Sequence, residues 1–342
     1  MKANNFITSS ALILCLSSVS AWGQPKRQTT TAKPPAPTLL NQLPPSDALA
    51  LVNVRQLLTE AMPRMLANNA AKLAEANAEI DKFKTRTGID PRAFDQVAVG
   101  MVYMYPQPEV TKIESVVLGR GTFKTEALVA AGQKLGSGAY REETYRGNTI
   151  YIFSIKEQMK LFGLVSFKVN ELAVTALSNN VLCLSSPTHI KFVLDAIKGS
   201  SKGRSDANRE LIELATRDAN AAIGFGGKVT PELLRTINIG NEAIAKDLSS
   251  VRQVYGTVGV TAKDVEMFLA ARTLNPESAK GLGSTLEGLK QLGAFLVSRM
   301  PAPKGTLART ALDNLRITTQ GNELQIRTAI AQADIAPLLR GE

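Results

Sequence analysis

One order of elements occurs twice along this chain, and it constrains the fold more than any motif does. Ala48–Val54 (ALALVNV) is a candidate buried strand, followed by a long helical stretch, Arg55–Arg86, with breaks expected at Pro63 and at Asn68-Asn69. Candidate strands at Gln96–Met104 and Glu114–Gly119 come next, then a helix near Lys124–Leu135 and a hairpin over 142–155 turned at Gly147-Asn148. The order restarts with a strand at Ala221–Phe225 and helix over much of Pro231–Arg252. Strands at Val254–Thr261 and Val265–Arg272, a helix at Pro276–Met300 and a hairpin over 314–329 turned at Gly321-Asn322 complete it. The turns read YRGNTIYI and TQGNELQI, where Gly-Asn supplies the positive φ that a two-residue hairpin loop needs. Hairpins and strand pairs separated by helices predict an α+β fold of two similar modules, 45–200 and 208–342. Each would be an antiparallel sheet with helices packed on one face.

The first module also holds a second hairpin, Leu172–Leu177 with Val181–Ser185, and a helix from Pro187 to Lys198 closed by Gly199. Gly199–Ser205 (GSSKGRS) reads as a linker or an exposed turn. Four helix starts are marked in the same way, at Asp90-Pro91, Ser186-Pro187, Thr230-Pro231 and Asn275-Pro276. In each, a side-chain oxygen can accept an orphan N–H of the first turn, and proline, which has none, takes the first helical position.

Before residue 45 the sequence reads as address and spacer. A lysine at position 2 precedes an apolar stretch from Phe6 to Ala21, and Ala21 and Gly23 stand at −3 and −1 of a cut before Gln24. This is the layout of a secretory signal peptide over residues 1–23, cleaved between Gly23 and Gln24. The stretch holds five Ser and a Thr and is shorter than a membrane-spanning helix needs. Residues 24–44, rich in Pro and Thr and without an acidic residue, read as a disordered tether. The exported chain would be periplasmic or extracellular, with no transmembrane segment. It would keep one thiol, Cys183, and so form no internal disulfide.

The chemistry-bearing residues are few. The 342 residues include one His and two Cys, too few for a Cys/His zinc site. Gly224–Thr230 (GFGGKVT) resembles a phosphate loop but lacks the G-x-x-x-x-G-K-[ST] spacing, with Ala222 and Val229 at two required positions. His189, the one imidazole, sits in a helix's first turn with no nucleophile elbow elsewhere. Cys183 lies mid-strand in VLCLSS, where a thiol behaves as a small core hydrophobe. Lys72, Glu75, Glu79 and Lys82 form a solvated helix face. Glu142 and Glu143 point to opposite sides of a strand. No catalytic, cofactor-binding or metal site is therefore assigned from sequence.

The formal net charge is +10, with basic residues interspersed and densest at Lys198, Lys202, Arg204 and Arg209. Aromatics are 5% of the chain and are not interleaved with that group, which argues against a nucleic-acid reader. A weak attraction to an anionic envelope polymer or lipid head groups fits the charge, and ordinary solubility fits it equally.

By Leu43–Ala48 (LPPSDA) before a strand, then Gly119–Phe123 (GRGTF), then Tyr145–Tyr151 (YRGNTIY) and the hairpin and helix of 172–196, the chain resembles secreted bacterial proteins built from duplicated α+β modules. The likeness covers most of residues 43–235. It implies export and a shared fold, and it carries no activity or functional residue with it. The function expected is that of an exported, non-enzymatic envelope protein acting by binding or scaffolding. The second reading is a hydrolase or transferase whose site is assembled from dispersed Asp, Glu, Lys and Ser.

Overall fold

Alternating strands joined by short turns can pair with their neighbours without crossovers, and here all the strand pairs are antiparallel. The computed structural model describes residues 39–331 apart from 68, 88–89, 108–109, 125, 128, 131–132, 134–139, 155–158, 162–164, 168–170, 200, 237–241, 262 and 300–303. The expected leader, its Gly23/Gln24 cut and most of the helix near 124–135 lie outside the described residues.

The first half contributes β1 (Ala48–Val52), β2 (Phe94–Gln107), β3 (Val110–Gly121), β4 (Tyr140–Tyr145) and β5 (Asn148–Ser154). Two short strands, β6 (Met159–Leu161) and β7 (Val165–Phe167), pair only with each other, before β8 (Glu171–Ser178) and β9 (Val181–Ser185). The second half contributes β10 (Ile223–Lys228), β11 (Val251–Val260), β12 (Asp264–Thr273), β13 (Arg316–Gln320) and β14 (Glu323–Ala331). Twelve of these make one continuous sheet in the order β13-β14-β12-β11-β10-β1-β2-β3-β9-β8-β5-β4. The halves meet at its centre, where Leu49 stands opposite Gly226 and Leu51 opposite Gly224.

The helices are α1 (Met62–Met65), α2 (Ala70–Thr87), α3 (Pro187–Lys198), α4 (Ser201–Ala215), α5 (Pro231–Arg235), α6 (Glu242–Leu248), α7 (Pro276–Val297) and α8 (Lys304–Asp313). All four expected caps are formed, with Asp90, Ser186, Thr230 and Asn275 each accepting a backbone N–H of the first turn. The stretch expected to be helical at 55–86 is interrupted between Met65 and Ala70, whereas Pro63 lies inside α1 and marks no break. The apolar stripe of α2 is only half-buried, with Phe83 38% exposed.

Side chains alternate across a strand, so the register sorts them into two faces. On one face Leu49, Leu51, Ala98, Val116, Leu118, Ile150, Ile152 and Cys183 form a core with Ile190, Val193 and Leu194 of α3 and Leu211 and Leu214 of α4. On the opposite face Val251, Leu324, Val254 and Ala271 pack on Leu282 and Leu286 of α7. The expectation of helices on one face of each module is corrected in 208–342, where α4 packs against Tyr255 and Ala270 on one face and α7 packs on the other.

Three further expectations change. Residues 39–44 are not part of a tether: Leu39–Gln42 is a 3-10 turn, and Leu39, Leu40 and Leu43 are fully buried in the core. Asn208 of α4 holds this segment, accepting from the Ser46 N–H at 3.0 Å and donating to the Pro44 carbonyl at 2.9 Å. The segment is too short for its apolar spacing to register as a helix. The linker at 199–205 is not one either, because α4 begins at Ser201. The β4–β5 turn sits one residue early, with positive φ at Arg146 (48°) and Gly147 (77°), and Asn148 already in the strand.

Counted outward from the centre, the first half runs β1, β2, β3, β9, β8 and the second β10, β11, β12, β14, β13. The place of the Gly321-Asn322 turn is taken in the first half by Asn179-Asn180, between β8 and β9. The hairpin at Gly147 is instead the additional β4–β5 pair outside them, so the expected equivalence of the two Gly-Asn turns is corrected.

Candidate functional site

A single row of residues crosses ten of the twelve strands, from β8 to β13: Thr175, Cys183, Leu118, Ala98, Leu51, Gly224, Thr257, Phe268, Arg327 and Arg316, each opposite the next. Its first half is buried under α3 and α4. Gly224 marks where α4 lies flush on the sheet, since a Cβ there would come within 1.9 Å of the Ala215 carbonyl oxygen. Beyond Gly224 the row turns polar. Parallel rows carry Tyr255, Ala270, Gln325 and Thr318, then Gln253, Arg272, Glu323 and Gln320. Among the described residues, no helix lies across β12, β14 and β13 on this face.

The end of α4 borders the open area. Arg217, two residues past α4, donates to the Tyr255 hydroxyl at 2.6 Å and lies 3.7 Å from Glu323. Its guanidinium carbon stands 5.2 Å from the centre of the Phe268 ring, and that of Arg327 stands 4.4 Å from the same ring. Tyr255 is fully buried, edge-on to Phe268 at 5.8 Å. Burial, and then the Glu323 carboxylate, push its hydroxyl pKa up to about 12. Burial raises the pKa of Glu323 as well. Its hydrogen bonds with Tyr255, Gln325 and Arg272 and the charge of Arg217 outweigh that effect and hold it below the usual glutamate value. Arg272 is opposite Glu323 in register and donates to it from Nε at 3.3 Å, while its Nη1 donates to both Glu210 and Gln253.

Two clefts flank Arg217. One, about 460 Å³, opens onto Thr257, Phe268, Arg316 and Arg327 with Asp218 and Glu266 at its rim. The other, about 800 Å³, opens onto Glu210, Gln253, Arg272, Glu323 and Gln325. Chemically this is a surface of fixed guanidiniums, amides and ring edges. The Glu323 carboxyl is already neutralised by arginine and held ionised, the reverse of what a general acid needs.

The residues singled out from sequence lie elsewhere. His189 stacks on Phe192 at 5.4 Å, and its Nε2 is buried without a hydrogen-bond partner. Burial, offset in part by Glu114, lowers its pKa. Ser186 is close by, but its Oγ caps α3 and donates to Glu114 at 2.8 Å, so it is not bonded to the imidazole. Cys183 is buried, and desolvation raises its thiol pKa to about 12. Gly224, Gly226 and Gly227 lie within β10, so GFGGKVT forms no loop around a phosphate. Glu143 faces Lys191 at 2.6 Å and Arg141 at 3.7 Å. In the basic group, Lys198 donates to the Arg146 carbonyl and Arg209 pairs with Asp206. The side chains of Lys202 and Arg204 lie outside the described ones.

Sequence reasoning missed Arg217, Phe268, Arg316 and Arg327. The signal was present: Glu266, Phe268, Ala270 and Arg272 alternate with Met267, Leu269 and Ala271. Glu323, Gln325 and Arg327 likewise alternate with Leu324 and Ile326. Alternation marks a polar face but does not say which residues stand opposite.

No family model and no curated protein matches the chain. Among solved structures it is similar to "Structure of crystal form I of TP0453", with a TM-score of 0.42 and 11% identity over 90% of this chain and 99% of that one. It is also similar to "Structure of crystal form III of TP0453", at 0.40 and 13% over the same shares. Likeness at this level carries no argument about what the chain does. Among the described residues no helix is long and apolar enough to cross a membrane, and no cluster of His, Cys, Asp and Glu is placed to hold a metal ion.

Proposed function

We propose that this is an exported envelope protein, periplasmic or extracellular, that works by binding rather than by catalysis. The ligand surface in this reading is the polar face of β11, β12, β14 and β13 beside α4. The observation that carries it is the change along one sheet face. The same surface that forms an apolar core under α3 and α4 continues into rows of arginine, glutamine and glutamate that those helices leave uncovered. A polar surface whose Glu210 and Glu323 carboxylates are already paired with arginine suits recognition. A hydrolase or transferase would need a carboxyl or amine poised near neutrality.

The test has two parts. Intact mass of the native protein, isolated from its source, should show a chain beginning at or near Gln24; retention of residues 1–21 overturns export. Hydroxyl-radical footprinting with purified anionic envelope polymer should then protect Phe268 and Gln325. Protection confined to other faces, or turnover of ester, amide or glycosidic substrates that survives loss of this face, overturns the binding reading.

The shared outward order of the first five strands in each half supports a second proposal. Residues 45–200 and 208–342 are diverged copies joined edge to edge, and β4–β7 are an insertion in the first. Superposing β1–β3, β9 and β8 on β10–β12, β14 and β13 in an experimental structure tests it, and unmatched strand directions overturn it.

A further inference from the structure

We propose that the cleft at Arg316 and Arg327 binds a phosphate-type oxyanion, free or carried on a larger molecule. This deepens the binding reading above by naming the chemistry of one part of that face. The register places Arg316 directly opposite Arg327 across β13 and β14. Residues so placed share a face with Cβ atoms about 5 Å apart, and like charges there repel. The same β14 strand shows the ordinary solution at Glu323, where Arg272 stands opposite and pairs with it. Arg316 and Arg327 have no such relief, as no carboxylate of the described residues lies within 4.0 Å of either guanidinium.

The pair is also held for use. Arg327 rests on one ring, Phe268, which also carries Arg217, so the aromatic positions its guanidinium without consuming its N–H donors. A guanidinium presents a planar fork that matches an oxyanion edge. One fork satisfies the two oxygens of a carboxylate, whereas two adjacent forks suit a group with three or more oxygens. Charge sets the size of the ligand group. Arg217, Arg316, Arg327, Asp218 and Glu266 all line this cleft, and Arg217 is also 3.7 Å from Glu323, which leaves Arg316 and Arg327 as a pair that suits one compact oxyanion. The volume of about 460 Å³ accommodates such a group with the sugar or glycerol attached to it.

The experiment follows thermal unfolding and the arginine Nε–H NMR signals of the full mature chain at constant ionic strength. Inorganic phosphate replaces chloride in one arm, and vesicles with or without phosphatidic acid are added in the other. Phosphate should raise the Tm and move the Arg316 and Arg327 signals. In the Arg316→Gln/Arg327→Gln variant the affinity should fall at least about tenfold, the equivalent of about 1.4 kcal/mol. That variant should melt no lower than the parent without phosphate, because it removes a repulsion. Arg252, which donates to the Ser249 and Val251 carbonyls and does not line this cleft, is the control, and Arg252→Gln should leave the response intact. A response to phosphatidic acid vesicles alone assigns the oxyanion to a lipid head group, and a response to inorganic phosphate assigns it to the free ion or a soluble ester. Response to neither probe, or a response that the double variant retains, overturns the proposal. Polymer protection of Phe268 and Gln325 would stand even then, so the two readings fail separately.

Discussion

Compare the two ends of the row that crosses the sheet. Thr175, Cys183, Leu118, Ala98 and Leu51 are all less than a tenth exposed, whereas Arg327 and Arg316 on the same face are open to water. The backbone pairing is alike at both ends. What differs is the side-chain list and, with it, whether helices can settle there. Ile190, Val193 and Leu194 of α3 bury a surface worth roughly 25 cal/mol per Å² of apolar area. On Arg327, Arg316, Gln325 and Thr318 a helix would gain nothing comparable and would have to strip water from two cations. One sheet therefore holds a core and a surface on a single face: past Gly224 the core still takes in Tyr255, Ala270 and the half-buried Phe268, and along this row the surface opens at Arg327.

The largest effect should come from carrying the open side's chemistry into the covered side. Leu118→Arg places an unpaired charge where the parent residue has no exposure, and should cost more than about 4 kcal/mol or abolish folding. Urea denaturation followed by circular dichroism measures it, and a loss below 1 kcal/mol would break the comparison. At the boundary, Gly224→Val drives a side chain into the Ala215 carbonyl and should cost about 3 kcal/mol by lifting α4. Hydrogen exchange should then quicken in α4 before it does in α7.

Asn208→Ala leaves the buried Ser46 N–H without its acceptor and should cost about 2 kcal/mol, with residues 39–46 becoming open to protease. On the open side the effects shrink. Glu323→Gln should cost about 1 kcal/mol. Because the folded carboxyl has the lower pKa, its contribution is complete above the unfolded glutamate value. It is lost as pH falls through that value toward the folded one. The parent should therefore lose stability over that acid range by more than the Gln variant does, as read from urea midpoints at each pH. Smallest is Arg327→Leu, the reciprocal of the first change, expected within about 0.5 kcal/mol of the parent in the same urea assay.

Much of the architecture is legible in the sequence because local rules decide it. Proline behind a capping side chain marks the starts of α3, α5 and α7. Alternation marks β2, β3, β11, β12 and both late hairpins. What escaped depends on partners remote in the chain. Leu39, Leu40 and Leu43 look like part of a Pro-rich spacer until α4 lies over them, and GSSKGRS looks like a linker until its residues join α4. The glycines of β10 look like a loop until Ala215 is seen against Gly224. The arginine cleft was hidden for the same reason, since the opposition of Arg316 and Arg327 is a fact of register.

The join between β1 and β10 also governs when the molecule can take shape. The N–H of Ser46 is bonded to a side chain 162 positions away. Closing so wide a loop is an early entropic cost that local contacts do not offset, which slows assembly. A chain emerging from the ribosome amino end first exposes Leu39, Leu40 and Leu43 long before Asn208 exists. Until the polymer has grown past Lys228, the middle of the sheet lacks one of its two central strands. During that interval the segment beside β1 is adhesive surface, and a chaperone that shields it would have its natural target there.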